Sequence, residues 1–254
     1  MNGYGRGILG LPPVVKNIIM INILMLLAAY AVQSVMGLSL ASDNLYLNTK
    51  LGIYFPKSDQ FMPIQILTHM FMHGGLWHIF FNMYALFIFG PILEHVWGPK
   101  RFLIFYMVCG LGAALTHESV IFIQYNHLVH SISPENVQAV ISEGTAYFQQ
   151  GKIFTDPDMQ KLQILLNIPT VGASGAIFGV LLAFGVLFPN TQLMLLLPPI
   201  PIKAKYLVAG YGALELYLAI SQPGSDIAHV AHLGGMLFGY ILIRYWRKTT
   251  NTLY

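Results

Sequence analysis

The chain has 254 residues, and only 9% are Asp, Glu, Lys or Arg, against about 25% in an ordinary soluble domain. With 56% hydrophobic residues and a mean hydropathy of +0.62, the apolar content exceeds what one water-facing core can bury and must face lipid, which excludes a soluble globule, a disordered chain and a nucleic-acid binder. The net charge of +3 comes from 13 basic residues with no run longer than two, so they read as topology signals rather than as an anion-binding surface.

Residues 1 to 13 are rich in glycine and proline, and the apolar run that follows has no small-residue cleavage site, so it is expected to be a retained signal anchor. Crossing ~30 Å of hydrocarbon takes about 20 mostly apolar residues. Six stretches approach that length: 14–36, 76–96, 101–123, 171–188, 203–220 and 227–246. Their apolar runs are continuous, without period-two alternation, which predicts helices rather than barrel strands. The expected architecture is therefore an all-α, polytopic membrane domain over 1–254. The fifth span is unusually polar, with Tyr206, Tyr211, Glu215 and Tyr217, and follows Pro198, Pro199 and Pro201.

Two segments outside the spans are too long for plain turns. Residues 37–75 carry Phe55, Phe61, Met62, Ile66, Met70 and Phe71 among polar residues and read as partly membrane-embedded helical hairpins. Residues 118–170 are the most polar part of the chain. There Ser133-Pro134-Glu135 and Asp156-Pro157-Asp158 each combine a cap residue, a first-turn proline and an acid, predicting two short helices in an outer-side insert. With the amino terminus inside, inner segments hold nine Lys and Arg residues and outer ones hold Lys50, Lys57, Lys152 and Lys161, which places both termini in the cytoplasm. Trp77, Tyr245 and Trp246 stand where interfacial anchors belong. Cys109, the single cysteine, allows no internal disulfide and reads as a small packing residue.

Polar side chains inside spans are costly, so each is a functional candidate with a packing alternative. Asn22, Gln33, Glu94, His95 and Glu215 read most simply as interhelical hydrogen-bonders, with Glu94 placed to pair with Arg101 across the turn. His78, Asn82, Ser174 and His232 are more pointed. Ser174 is expected about three residues into its helix and His232 about five, so both lie roughly 5 to 8 Å below the outer face, and His78 enters at similar depth. His78 and Asn82 are i and i+4 on one helix face and could donate to one oxygen. Ser174 lies in Gly172-Ala173-Ser174-Gly175 at a helix start, where free N–H groups would stabilise an oxyanion, and His232 would take its proton. Gly175 and Gly179, with Gly235 and Gly239, have the small-xxx-small spacing that lets two backbones approach. No acid is evident to orient His232, so the pattern is a dyad.

These strings resemble the rhomboid family of intramembrane serine proteases: His73-Gly-Gly-Leu-Trp-His78-Ile-Phe-Phe-Asn82, Gly172-Ala-Ser174-Gly-Ala-Ile-Phe-Gly179 and Ala231-His232-Leu-Gly-Gly235-Met-Leu-Phe-Gly239. The resemblance implies a six-helix rhomboid-like bundle in which Ser174 is the nucleophile and His232 the base. It implies an oxyanion hole from His78, Asn82 and the Ser174 N–H, with His73, Gly172 and Gly175 also on motif positions. It further implies cleavage of single-span membrane proteins in or near their transmembrane segment, no cofactor, and a bilayer setting, expected to be a bacterial inner membrane with the site opening outward. Many relatives carry Trp-Arg in the first outer loop, where this chain reads Pro63-Ile64-Gln65. The turn Ser221–Asp226 resembles the family's movable cap.

Other readings fit less well. His117-Glu118 lacks the second histidine of a metalloprotease helix, since Ile121 stands there. His229 and His232 form an i, i+3 pair with no third ligand evident, so no metal site is expected. Inverted repeats and midplane charges of a transporter are not evident. The alternative to the protease is a catalytically inactive relative that binds membrane-protein clients without cutting them.

Overall fold

The computed structural model describes residues 10–40, 45–194, 200–221 and 228–249. They are all-α apart from one two-stranded ribbon. α1 (Pro13–Val35) opens with proline at a position whose N–H would be unpaired anyway. Its next two N–H groups, of Val14 and Val15, donate to the buried Glu94 carboxylate at 3.0 and 2.8 Å. The negative charge thus caps the positive end of the helix dipole. Glu94 therefore does not pair with Arg101: its partners lie some 80 residues upstream. Asn22, expected to bond between helices, instead donates to Ile18 O within α1 at 2.7 Å.

Between α1 and the next long helix lie α2 (Tyr46–Leu51), α3 (Gln65–Thr68) and a 3₁₀ turn, His69–Phe71. Gln65 ties this segment together. Its Oε1 accepts from Met62 N at 3.0 Å, and its Nε2 donates to Gln60 O and Lys50 O at 3.1 and 3.2 Å. Phe55 and Met70 are buried, whereas Met62 and Ile66 are exposed.

α4 (Leu76–Ser131) is two helical arms joined at Gly98, whose φ of 75° suits glycine. A Cβ built on Gly90 would lie 3.5 Å from Phe102, a residue that a straight helix would carry roughly 18 Å away. The chain thus reverses at Gly98. The second arm runs on to Ser131, beyond the expected end at 123. α5 (Pro134–Gln149) and α6 (Pro157–Asn167) follow, their first turns capped by the Ser133 hydroxyl and the Asp156 carboxylate. Gln163 locks the pair, donating to Gly144 O at 2.8 Å and accepting from Phe154 N at 3.1 Å. The insert joins the α2–α3 segment through the antiparallel bridge Ile53–Thr170 and the Gln60–Asn167 hydrogen bond of 2.9 Å.

α7 (Ser174–Leu187) is followed by the antiparallel ribbon β1 (Gln192–Met194) and β2 (Pro201–Lys203), α8 (Ala204–Ser221) and α9 (Ala228–Thr249). α7, α9 and the second arm of α4 pack against one another. A Cβ on Gly235 would lie 1.8 Å from Gly175 O, and one on Gly179 would lie 2.4 Å from Cys109 Sγ, so three backbones converge where side chains are smallest. Trp246, expected at an interface, packs its ring on Trp97 with centroids 5.4 Å apart. Among the described residues, α1 and α4 are long and apolar enough to cross a membrane.

Candidate functional site

Ser174 is the first residue of α7 rather than about three residues into it. The turn before it depends on Gly172, whose φ of 132° an L side chain rarely adopts. A Cβ there would also lie 2.9 Å from the His78 ring and 3.6 Å from Ser174 Oγ. The Gly172 N–H donates to His69 O at 2.9 Å, fixing the turn to the 3₁₀ segment. His232, the fifth residue of α9, is carried to α7 by the Gly235–Gly175 approach. Its Nε2 stands 2.9 Å from Ser174 Oγ. Phe178, one helical turn after Ser174, stacks flat on the His232 ring with centroids 4.1 Å apart and planes 8° apart, which fixes the ring's tilt.

His78 and Asn82 approach from the first arm of α4. The Gly74 N–H donates to His78 Nδ1 at 3.3 Å. A backbone N–H is only a donor, so in the neutral ring the proton belongs on Nε2, the nitrogen beside Gly172. Asn82 is buried, and its Nδ2 has no hydrogen-bond partner among the described residues. His78 Nε2 thus faces the turn that presents Ser174, and Asn82, one helical turn further along α4, carries a second uncommitted donor. Behind them His73 is buried, its ring 5.1 Å from that of His78, edge to face. Burial, reinforced by neighbouring His78, lowers the His73 pKa to about 3. The Asn48 side chain donates to His73 O at 3.0 Å. On the other side of Ser174 a cavity of about 30 Å³ is lined by His69, His117, Thr170 and Gly175, space for about one water.

The acid not evident from the sequence is present. Glu215 of α8 is buried, and its Oε2 lies 2.6 Å from His229 Nδ1 and 3.1 Å from His232 Nδ1. The His229 contact is a hydrogen bond; the one to His232 has the distance but not the direction of one. The expectations that no acid faces His232 and that no third ligand faces the histidine pair are both corrected: Glu215, His229 and His232 each offer a ligand atom, all within 4.8 Å of one another. The available signal was a carboxylate inside a span, which identifies an expensive group but not its partner. Phe178 carried only its i+4 relation to Ser174. Residues 222–226 of the expected cap turn lie outside the described residues.

The chain matches the Rhomboid domain over residues 60–249. It is 28% identical over 188 residues to Rhomboid protein 1, mitochondrial, of Saccharomyces cerevisiae, covering 74% of this chain and 43% of that protein. It is 26% identical to Rhomboid protease AarA of Providencia stuartii, covering 72% and 57% of the two chains, and 26% identical to Putative rhomboid protease YdcA of Bacillus subtilis, covering 70% and 64%. The match spans less than two thirds of each of these relatives. No solved structure matches the chain significantly. The fold and the site define a membrane protein, and the chain belongs to the rhomboid family.

Proposed function

We propose that the protein is an intramembrane serine endopeptidase that cleaves single-span membrane proteins in or near their transmembrane segment. The observation that carries this reading is the 2.9 Å contact between Ser174 Oγ and His232 Nε2, within the reach a nucleophile and its base require. Ser174 Oγ attacks the scissile carbonyl carbon as His232 Nε2 takes its proton. The oxygen that becomes negative is met by the Ser174 N–H at the positive end of α7, by His78 Nε2–H and by Asn82 Nδ2–H. Collapse of the tetrahedral species breaks the C–N bond, and His232 returns the proton to the leaving amine. Water then hydrolyses the Ser174 ester, with His232 again as base.

α1 and α4, each long and apolar enough to cross a membrane, support a bilayer setting; in this reading α1, the two arms of α4, α7, α8 and α9 form the six-helix bundle. The Lys and Arg distribution supports cytoplasmic termini and a site opening to the outer side; the reading assigns the protein to a bacterial inner membrane. No metal or cofactor is needed. The test is to incubate the purified protein with a single-span reporter beside Ser174→Ala and His232→Ala. Cleavage is expected only from the unaltered protein. Equal cleavage by all three contradicts the reading, and binding of the reporter without any cleavage would favour the client-binding alternative.

A further inference from the structure

α8 is loosely packed: of its 18 residues only Ala204, Val208 and Glu215 are buried. A helix that exposes most of its apolar side chains yet buries a carboxylate needs a reason for that carboxylate. Burying it is costly unless it is paired. Its partners are two imidazoles, both met through Nδ1 by the same oxygen, Oε2.

Hydrogen-bond chemistry then constrains the histidines. An ionised carboxylate only accepts, so the nitrogen facing it carries the proton, and in a neutral imidazole the other nitrogen holds the lone pair. For His229 the 2.6 Å hydrogen bond places the proton on Nδ1. The same oxygen 3.1 Å from His232 Nδ1 favours a proton there too. His232 Nε2 is then left with its lone pair directed at the Ser174 hydroxyl, 2.9 Å away. The opposite tautomer would present N–H to Ser174 and could not accept a proton. Among the described residues, His78 on α4 is a further titratable group within electrostatic reach of His232; α7 contributes Ser174 and the uncharged Phe178.

We propose that Glu215 is a positioning residue for His232: steered by its hydrogen bond to His229, it holds the base in the Nδ1-protonated tautomer and stabilises the imidazolium that forms when Ser174 is deprotonated. The inference rests on the serine-protease reading and extends its Ser174–His232 pair by one carboxylate. A metal is the competing use of the same three residues. Ligands at about 2.0–2.1 Å around tetrahedral zinc lie about 3.3 Å apart, whereas Glu215 Oε2 and His229 Nδ1 are 2.6 Å apart, the separation of a charge-assisted hydrogen bond.

The experiment is reporter cleavage by the full chain across pH for the unaltered protein, Glu215→Gln and Glu215→Asp, with Ser174→Ala alongside. Glu215→Gln is expected to lower kcat by ~10²- to 10⁴-fold, with little change in KM. Removing the negative charge should also move the acid limb of its kcat/KM profile to lower pH, and Glu215→Asp should recover part of the rate. Wild-type kcat and pH profile in Glu215→Gln, with Ser174→Ala dead, overturns the inference while leaving the protease reading intact. Active Ser174→Ala would instead overturn that reading. Loss of wild-type cleavage on adding EDTA would assign the cluster to a metal and overturn the inference. A mutation-free arm is nitrogen-15 histidine NMR of the wild-type protein: an Nδ1–H tautomer for His232 supports the inference, and an Nε2–H tautomer contradicts it.

Discussion

Asn82 illustrates how a buried donor becomes informative. An amide N–H group removed from water without a partner costs on the order of 1–3 kcal/mol, and Asn82 Nδ2 has no protein partner among the described residues. A transient negative oxygen near Ser174 would give it a partner only as the reaction proceeds, which is the condition for lowering a barrier. Asn82→Ala is therefore expected to reduce kcat by about 10²- to 10³-fold, with KM nearly unchanged. An unaltered kcat would remove Asn82 from the mechanism. His73 shows a different consequence of burial. Its pKa, lowered to about 3 by burial and by His78, means that the folded protein binds its proton less readily than the unfolded chain, where histidine titrates near 6.5. The stabilisation from a neutral His73 is present above about pH 6.5 and is lost progressively as pH falls toward 3. Melting temperature measured between pH 8 and 4 should fall on the acid side, and His73→Gln should flatten that fall. An unchanged slope would contradict the assignment.

At the scale of elements, the site exists because two helices touch backbone to backbone. The Gly235–Gly175 approach leaves no room for even one methyl group, since the added carbon would sit 1.8 Å from a carbonyl oxygen. Gly235→Ala must push α9 away from α7. It is expected to cost on the order of 1–3 kcal/mol and to lengthen the Ser174–His232 contact, so cleavage should fall more steeply than stability. Retention of both activity and melting temperature would show that the approach is looser than described. Glycines at i and i+4 are legible in a sequence because their spacing is local, and so are the Ser133 and Asp156 caps, each one residue before its helix. Partners set by tertiary packing are not. Glu94 looked placed for Arg101, seven residues on, but the fold brings the start of α1 to it instead. Gln65, within a segment that read as membrane-embedded hairpins, bonds Lys50 and Gln60 because the loop folds over it.

For the whole molecule, the same division holds between what the sequence discloses and what it hides. Ser174, His232, His78 and Asn82 stand in short strings whose residue types are unusual in apolar helices, so they could be named before any fold was known. Glu215 could not be assigned to His232, because its role depends on the rotation of α8 about its own axis and on its packing beside α9, which are set by tertiary structure. The α2–α3 segment and the α5–α6 insert are joined through Ile53–Thr170 and Gln60–Asn167, and Gly172 is bonded to the 3₁₀ turn that follows α3. These two segments are thus continuous with the turn that presents the serine. The measurement that bears most directly on the account is labelling of the purified protein with a fluorophosphonate, followed by peptide mass spectrometry. A phosphonyl adduct on Ser174 that disappears in His232→Ala is the predicted result, because only a serine with a working base attacks the probe. An adduct on another residue, or undiminished labelling of Ser174 without His232, would contradict it.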